Sequence, residues 1–340
     1  MKVDRVKINI LYEFKDNAWG GGNQFLKALQ AEFRRKEVYE DEPGHADVIL
    51  FNSFPFREEY RFRQIAELKK DGKIIFHRID GPVSSIRGKD KYIDKLIYIF
   101  NMTFADASIF QSEWSKNENY RLGIRKNPEI VISNAADAAI FNRISKDVFT
   151  RNRKVRLIAT SWSSNWRKGF DIYEYLDKNL DFSKYEMTFI GNSPIEFKNV
   201  IKKDPLPSYE LAAELKKHDL YITASEKDPC SNSLIEALSC GLPAVALMDG
   251  GHPEIIGAAG VFFTGKKNVL EAIDRAVIEY DTLVRAIVIP SITECAMKYY
   301  DFMRETHSKI KTKVLQRKMV GQLQQHIFFL KIRILKHFKI

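Results

Sequence analysis

The sequence lacks the signatures of a metal centre, a disulfide framework and a membrane span. No two aspartates stand one residue apart, and no group of His and Cys has metal-ligand spacing. A divalent ion clamping a phosphorylated ligand is therefore not expected, and metal ligands are none. No run of about 18 uncharged apolar residues occurs, which excludes a spanning helix. Cysteines number three, Cys230, Cys240 and Cys295. An odd count without ligand spacing argues for reduced thiols in a cytoplasmic protein. The start, with Lys2, Asp4 and Arg5 ahead of a short apolar run, is not a secretory signal. Acid is missing from one place in particular. Residues 306–340 hold nine of the 54 Lys and Arg and no Asp or Glu, which leaves 45 cations against 44 acids in the body.

The chain does have length and alternation. Its 340 residues suggest two domains with ample cores. Short apolar runs alternate with amphipathic stretches almost throughout, the pattern of βα units and parallel sheets in an α/β protein. The polar, basic stretch 143–154 reads as a linker. It divides the chain into domains 1–148 and 149–289, followed by a helix at 290–305 and the basic tail at 306–340. The first strand (6–12) leads into Trp19-Gly20-Gly21-Gly22-Asn23 and a helix with Phe25, Leu26, Leu29 and Phe33 on one face. Such a turn is either merely tight or lets the backbone approach a ligand closely. It is neither a dinucleotide fingerprint nor a Walker loop.

The most informative stretch is 219–254. An apolar strand (220–224) enters a polar loop (225–231), and a short helix from about 232 to 240 stops at Gly241 before a second strand at 243–248. The loop delivers Asp228, and the helix Glu236, to the carboxyl edge of a parallel sheet, where open α/β sheets bind ligands. The N–H groups of Ser231, Asn232, Ser233 and Leu234 would face outward from a helix start, suited to a diphosphate. A blander role for Glu236 is a capping box with Ser233. Arg167 and Lys168 also open a helix, where two cations are disfavoured unless an anion lies between them. A solvated basic turn is the alternative. His77 ends another strand, before Asp80-Gly81-Pro82, and is placed for a cleft or for a local hydrogen bond.

The stretch from Asp228 and Glu236 through Ala237, Gly241 and Pro243 to Gly250, Gly251, Pro253 and Glu254 resembles the signature of family 4 retaining glycosyltransferases of GT-B architecture. Lys168-Gly169, the turn at Gly21 and Gly22, His77 and residues 134–137 match further parts of that pattern. The resemblance runs from the first strand to the helix at 292–303. It implies two Rossmann-like βαβ domains facing each other across a cleft, and a nucleotide-sugar donor whose sugar passes to a glycan or glycolipid acceptor with retention, without a metal or other cofactor. By the same resemblance Gly21, Gly22, Lys168 and Glu236 bind the donor, and His77 and Asp228 lie at the transferred sugar. The helix-start electrostatics add Arg167 and the N–H groups of Ser231, Asn232, Ser233 and Leu234 to the donor grip, and Lys168 acts catalytically by stabilising the leaving diphosphate. Three positions depart from the pattern. Asp228 stands for the usual Glu, Trp162 for an Arg, and Asn134-Ala135-Ala136-Asp137 for Asn-Gly-Val-Asp. A GT-B epimerase or phosphorylase, or an inactive nucleotide-sugar binder, are the other readings. A two-carboxylate glycosidase has no use for a phosphate grip.

In the tail, Leu315, Met319, Leu323, Ile327, Leu330, Ile334 and Phe338 recur at helical spacing, with Lys331, Arg333, Lys336 and Lys339 beside them. A basic amphipathic helix of this kind is expected to attach peripherally to the cytoplasmic face of a membrane. A helix packed on the body or on a second copy of the chain is the other reading. Nucleic acid is not an expected partner, because the charge is confined to the tail.

Overall fold

A computed structural model describes residues 5–15, 21–52 and 59–338. Lys2, Asp4, Trp19, Gly20 and Lys339 lie outside the described residues. Two compact units share the chain. One comprises Met1–Phe14, Leu26–Ser133 and Thr293–Ile340, the other Lys15–Phe25 and Asn134–Ile292. The division thus falls after Ser133, ahead of the basic stretch 143–154. That stretch is packed on the second unit. Phe149 lies against its core, Lys146 Nζ donates to the His218 carbonyl at 2.9 Å, and the Arg153 guanidinium forks onto Asp219 at 2.7 and 2.8 Å.

The elements of the first unit begin with β1 (Ile8–Leu11), α1 (Gly21–Arg35, whose first five residues belong to the second unit), β2 (Val48–Asn52) and α2 (Glu59–Lys70). They continue with β3 (Ile74–Arg78), α3 (Val83–Arg87), α4 (Lys91–Phe104), β4 (Ala107–Phe110), α5 (Glu113–Arg121) and β5 (Glu129–Val131). The five strands are parallel and stand in sequence order. The first four are buried along their whole length, as parallel strands covered on both faces by helices must be.

The second unit runs β6 (Val155–Ser161), α6 (Phe170–Asn179), β7 (Tyr185–Gly191), β8 (Ile201–Lys203), α7 (Ser208–Lys216), β9 (Leu220–Thr223), α8 (Asn232–Ser239) and β10 (Ala244–Leu247). It closes with α9 (His252–Ile256), β11 (Gly260–Phe263), α10 (Val269–Ile278) and α11 (Tyr280–Arg285). Its sheet is also parallel, in the order β11-β10-β9-β6-β7-β8. The order reverses between β6 and β9, so the crossovers to either side diverge there and leave a crevice at the carboxyl ends of these two strands. Helix α8 ends as its sequence requires. Gly241 adopts φ 85°, its N–H bonds the Leu238 carbonyl at 2.9 Å, and that of Leu242 bonds Ala237 at 3.1 Å, a Schellman closure.

After Ile292 the chain returns to the first unit as α12 (Ile292–Lys311) and α13 (Gln322–Phe338). Phe302 of α12 packs edge-on against Phe76. The expected continuous tail helix begins only at Gln322. Residues 312–321 are irregular, and Lys318 N–H donates to Asp106 at 2.8 Å. Phe328 and Ile332 of α13 are buried in the core, and Phe328 meets Phe62, Phe100 and Phe104 edge-on. The apolar stripe singled out in the sequence points the other way. Leu323 is 73% exposed, Leu330 58% and Phe338 64%.

Candidate functional site

The site is assembled by the loops that leave β6 and β9 on either side of the strand-order reversal. After β6, residues 162–165 lead into a single 3₁₀ turn, Trp166–Lys168, whose Arg167 N–H is capped by the Asn165 side chain at 2.9 Å. Gly169 follows at φ 87°. A Cβ there would lie 2.3 Å from the Cβ of Ala224 and 2.4 Å from its carbonyl oxygen. Only glycine lets this turn sit against the end of β9. The two loops are stitched by Glu226 N–H donating to the Arg167 carbonyl at 2.8 Å.

This contact brings Lys168 to Asp228, sixty positions later in the sequence. Lys168 Nζ donates to Asp228 Oδ2 at 2.9 Å, with the side chains 27% and 10% exposed. Asp228 Oδ1 also accepts from Cys230 N–H at 3.2 Å. Burial by itself raises the Asp228 pKa, but the Lys168 ammonium outweighs it and holds the carboxyl below its ordinary range. The turn at Gly250 and Gly251 supports Asp228 from behind. Gly251 N–H bonds the Asp228 carbonyl at 2.8 Å, and a Cβ on Gly250 would lie 2.5 Å from the same oxygen.

Helix α8 opens at the same sheet edge. Ser231 is its N-cap and makes no side-chain cap. Its Oγ lies 3.2 Å from Ser233 Oγ instead. The capping-box reading is thereby corrected, because Ser233 sits inside the helix and Glu236 is out of reach of the cap position. The first N–H groups of α8, at Asn232, Ser233 and Leu234, remain without a side-chain cap, while the Leu234 side chain is core. Asn232 accepts from Asn134 Nδ2 at 3.0 Å, so Asn134 meets the helix start. Gly21 does so too, since a Cβ there would fall 2.4 Å from the Asn232 Cβ. A Cβ at Gly22 would meet nothing within 4 Å. Both glycines lie in the first turn of α1 rather than in a loop before it.

Glu236, one turn into α8, has burial as the one influence on its carboxyl, and its pKa rises to about 8. Removal from water favours its protonated form. Nothing in the spacing singled out His252, between Gly251 and Pro253. It is fully buried, and its Nδ1 lies 3.0 Å from the Leu247 carbonyl, which makes that nitrogen the N–H donor. Nε2 is then an acceptor, buried and unpartnered among the described residues. The only signal was a histidine inside a motif otherwise read for its glycines, proline and acid.

His77 corrects an expectation. It is 0% exposed, lies 3.1 Å from Asn101 Nδ2, and packs against the rings of Phe51 and Phe100. Burial depresses its pKa to about 3. The strand continues one residue past it, and alternation along β3 turns His77 under α4, a core position without access for a sugar. Arg78 faces the opposite way, bonding Asn52 at 2.5 Å, Asp80 at 2.6 Å and Tyr299 at 3.1 Å. Asp80, with 31% of its side chain exposed, is the carboxylate presented at that edge.

Among the described residues no three His, Cys, Asp or Glu side chains converge as a cation site. Residues 178–280 match the family model described as Glycosyl transferases group 1. The solved structure of Anabaena Alr3699/HepE in complex with UDP-glucose superposes with a TM-score of 0.60 at 13% identity, covering 91% of this chain and 99% of that one. Sucrose-phosphate synthase from Thermosynechococcus elongatus gives 0.63 at 13% identity, covering 89% and 100%. One component of the human phosphatidylinositol N-acetylglucosaminyltransferase is 26% identical over 187 residues, 49% of this chain and 37% of that protein. The chain thus spans well under half the length of that curated relative. The fold is GT-B, two Rossmann-like domains with parallel sheets, and the match to the group 1 glycosyltransferase model falls in the second domain.

Proposed function

We propose that this protein transfers a sugar from a nucleotide-sugar donor to a glycan or glycolipid acceptor, with retention and without a metal ion. One arrangement supports the reading most. Lys168 and Asp228 pair at 2.9 Å where the strand order reverses, at the same sheet edge as a helix start without a side-chain cap. The donor diphosphate lies against the N–H groups of Asn232, Ser233 and Leu234, a preorganised anion site. Lys168, held by Asp228 while no donor is bound, turns to the diphosphate as charge grows on it. Arg167, half-buried in the same turn, adds positive field.

The bond from the anomeric carbon to the diphosphate oxygen breaks, and its electron pair leaves with the diphosphate. Ionised Asp228 faces the positive charge that develops on the sugar. The acceptor hydroxyl bonds to the anomeric carbon, and its proton goes to the departing diphosphate. The carboxyl of Glu236 holds the nucleotide ribose through its hydroxyls. Retention and family 4 membership rest on the resemblance of residues 228–254. A uridine diphosphate sugar is the donor class to try first, because the Anabaena protein binds UDP-glucose.

The test is transfer from UDP-glucose and related donors, with release of the nucleotide as readout. Lys168→Ala and Glu236→Ala are each expected to lower kcat/KM on the order of a hundredfold with the fold intact. Undiminished turnover in both would end the proposal. Donor consumption without acceptor identifies an epimerase or phosphorylase, and binding without turnover on any acceptor an inactive binder.

A further inference from the structure

Helix α13 is apolar on two opposite sides. One side is used, since Gln325, Phe328 and Ile332 are buried against the first unit, Phe328 and Ile332 join its core, and Arg63 lies 5.0 Å over the adjoining Phe329 ring. The opposite side carries Leu323, Ile327, Leu330, Ile334 and Phe338, all exposed. At about 100° per residue these five fall within an arc of about 80°. Lys331 borders the arc on one side, and His326, Arg333 and His337 border it on the other; all four are exposed. From residue 306 to the end of the chain there is no acid to oppose them.

A protein partner would be expected to answer Lys331 and Arg333 with acids and to fill an apolar groove. A bilayer with anionic headgroups answers cations on both borders of the stripe at once and takes up a straight stripe lying flat. Among the described residues no helix is long and apolar enough to cross a membrane. We propose that the outward face of α13 seats the protein on an anionic lipid surface, the helix lying in the interface plane with Phe328 and Ile332 as its fixed mount. The core packing holds the stripe in shape before lipid is met, so no ordering of a loose tail opposes binding. This inference is independent of the sugar-transfer reading.

The experiment is cosedimentation of the full chain with vesicles of phosphatidylcholine alone and of phosphatidylcholine mixed with phosphatidylglycerol. Wild type is expected to pellet with the mixed vesicles, less so as salt rises, and to remain in solution with phosphatidylcholine. The triple variant Leu323→Gln/Leu330→Gln/Ile334→Gln is expected to lose binding while its thermal midpoint stays unchanged. Lys331→Glu/Arg333→Glu is expected to weaken binding by about thirtyfold or more. Wild type that stays in solution with both vesicles overturns the proposal, as does a triple variant that still pellets fully. Wild type that dimerises through this face, with the triple variant monomeric and neither binding vesicles, overturns it as well.

Discussion

Asp228 and Glu236 stand on one loop-and-helix segment, yet charge and burial shift their pKa values in opposite directions. Asp228 has Lys168 at 2.9 Å and stays ionised. Glu236 has only burial acting on it, and its pKa rises to about 8 from an ordinary 4.5. The consequence for stability has a definite sign. The unfolded chain releases this proton near pH 4.5 and the folded chain near 8. The folded state is therefore favoured fully below 4.5, and that advantage is lost as pH rises through 8. Glu236→Gln removes the dependence. Its thermal midpoint is expected to gain on wild type between pH 5 and pH 9, and a constant difference across that range would contradict the assignment. His77 shows the same physics with the opposite charge, because a ring enclosed by Phe51 and Phe100 resists protonation. Such a histidine suits a core better than a cleft.

At the level of elements, the turn at 166–169 does the positioning. It places Lys168 because Gly169 passes within van der Waals distance of Ala224 at the end of β9. Gly169→Ala adds a Cβ 2.3 Å from a neighbouring Cβ at φ 87°. It is expected to cost more than about 1 kcal/mol in urea unfolding and to weaken donor binding as Lys168 is displaced. Gly44→Ala, outside the site and with nothing within 4 Å of the added atom, is expected to do neither. Equal effects of the two substitutions would show that the contact with β9 does not position Lys168. The strand and helix sequence of 219–254 was legible from the chain. Each piece is short, apolar on its own period and punctuated by Gly241, so local rules suffice. The face that α13 turns inward was not legible. Both of its sides are apolar, and only the aromatic cluster of Phe62, Phe100 and Phe104 selects Phe328 over Leu330.

For the molecule as a whole, the C-terminal segment is tied into the first unit by charge as well as by packing. Lys69 and Asp106 form a buried ion pair. Asp106 also accepts from Ile75 N–H at 2.9 Å and from Lys318 N–H at 2.8 Å. One carboxylate thus joins α2, β3 and the strap that leads to α13. Lys69→Met leaves that buried carboxylate without its cation and is expected to cost about 3–5 kcal/mol in chemical unfolding, read from the midpoint. A loss under about 1 kcal/mol would show that the two N–H donors suffice alone.

The amino-acid sequence by itself determined the alternation of strands and helices, the loop and helix that carry Asp228 and Glu236, and the charge of the tail. Those follow from periodicity, glycine punctuation and composition, which act over a few residues at a time. Tertiary structure decided what depends on a distant partner. It paired Lys168 with Asp228 across a change of strand order, sent His77 beneath α4 instead of to an edge, and joined residues 143–154 to the second unit. It also chose which apolar side of the last helix meets the core. A side chain's neighbours are set by which strands and helices come together, and that information is spread over the whole chain.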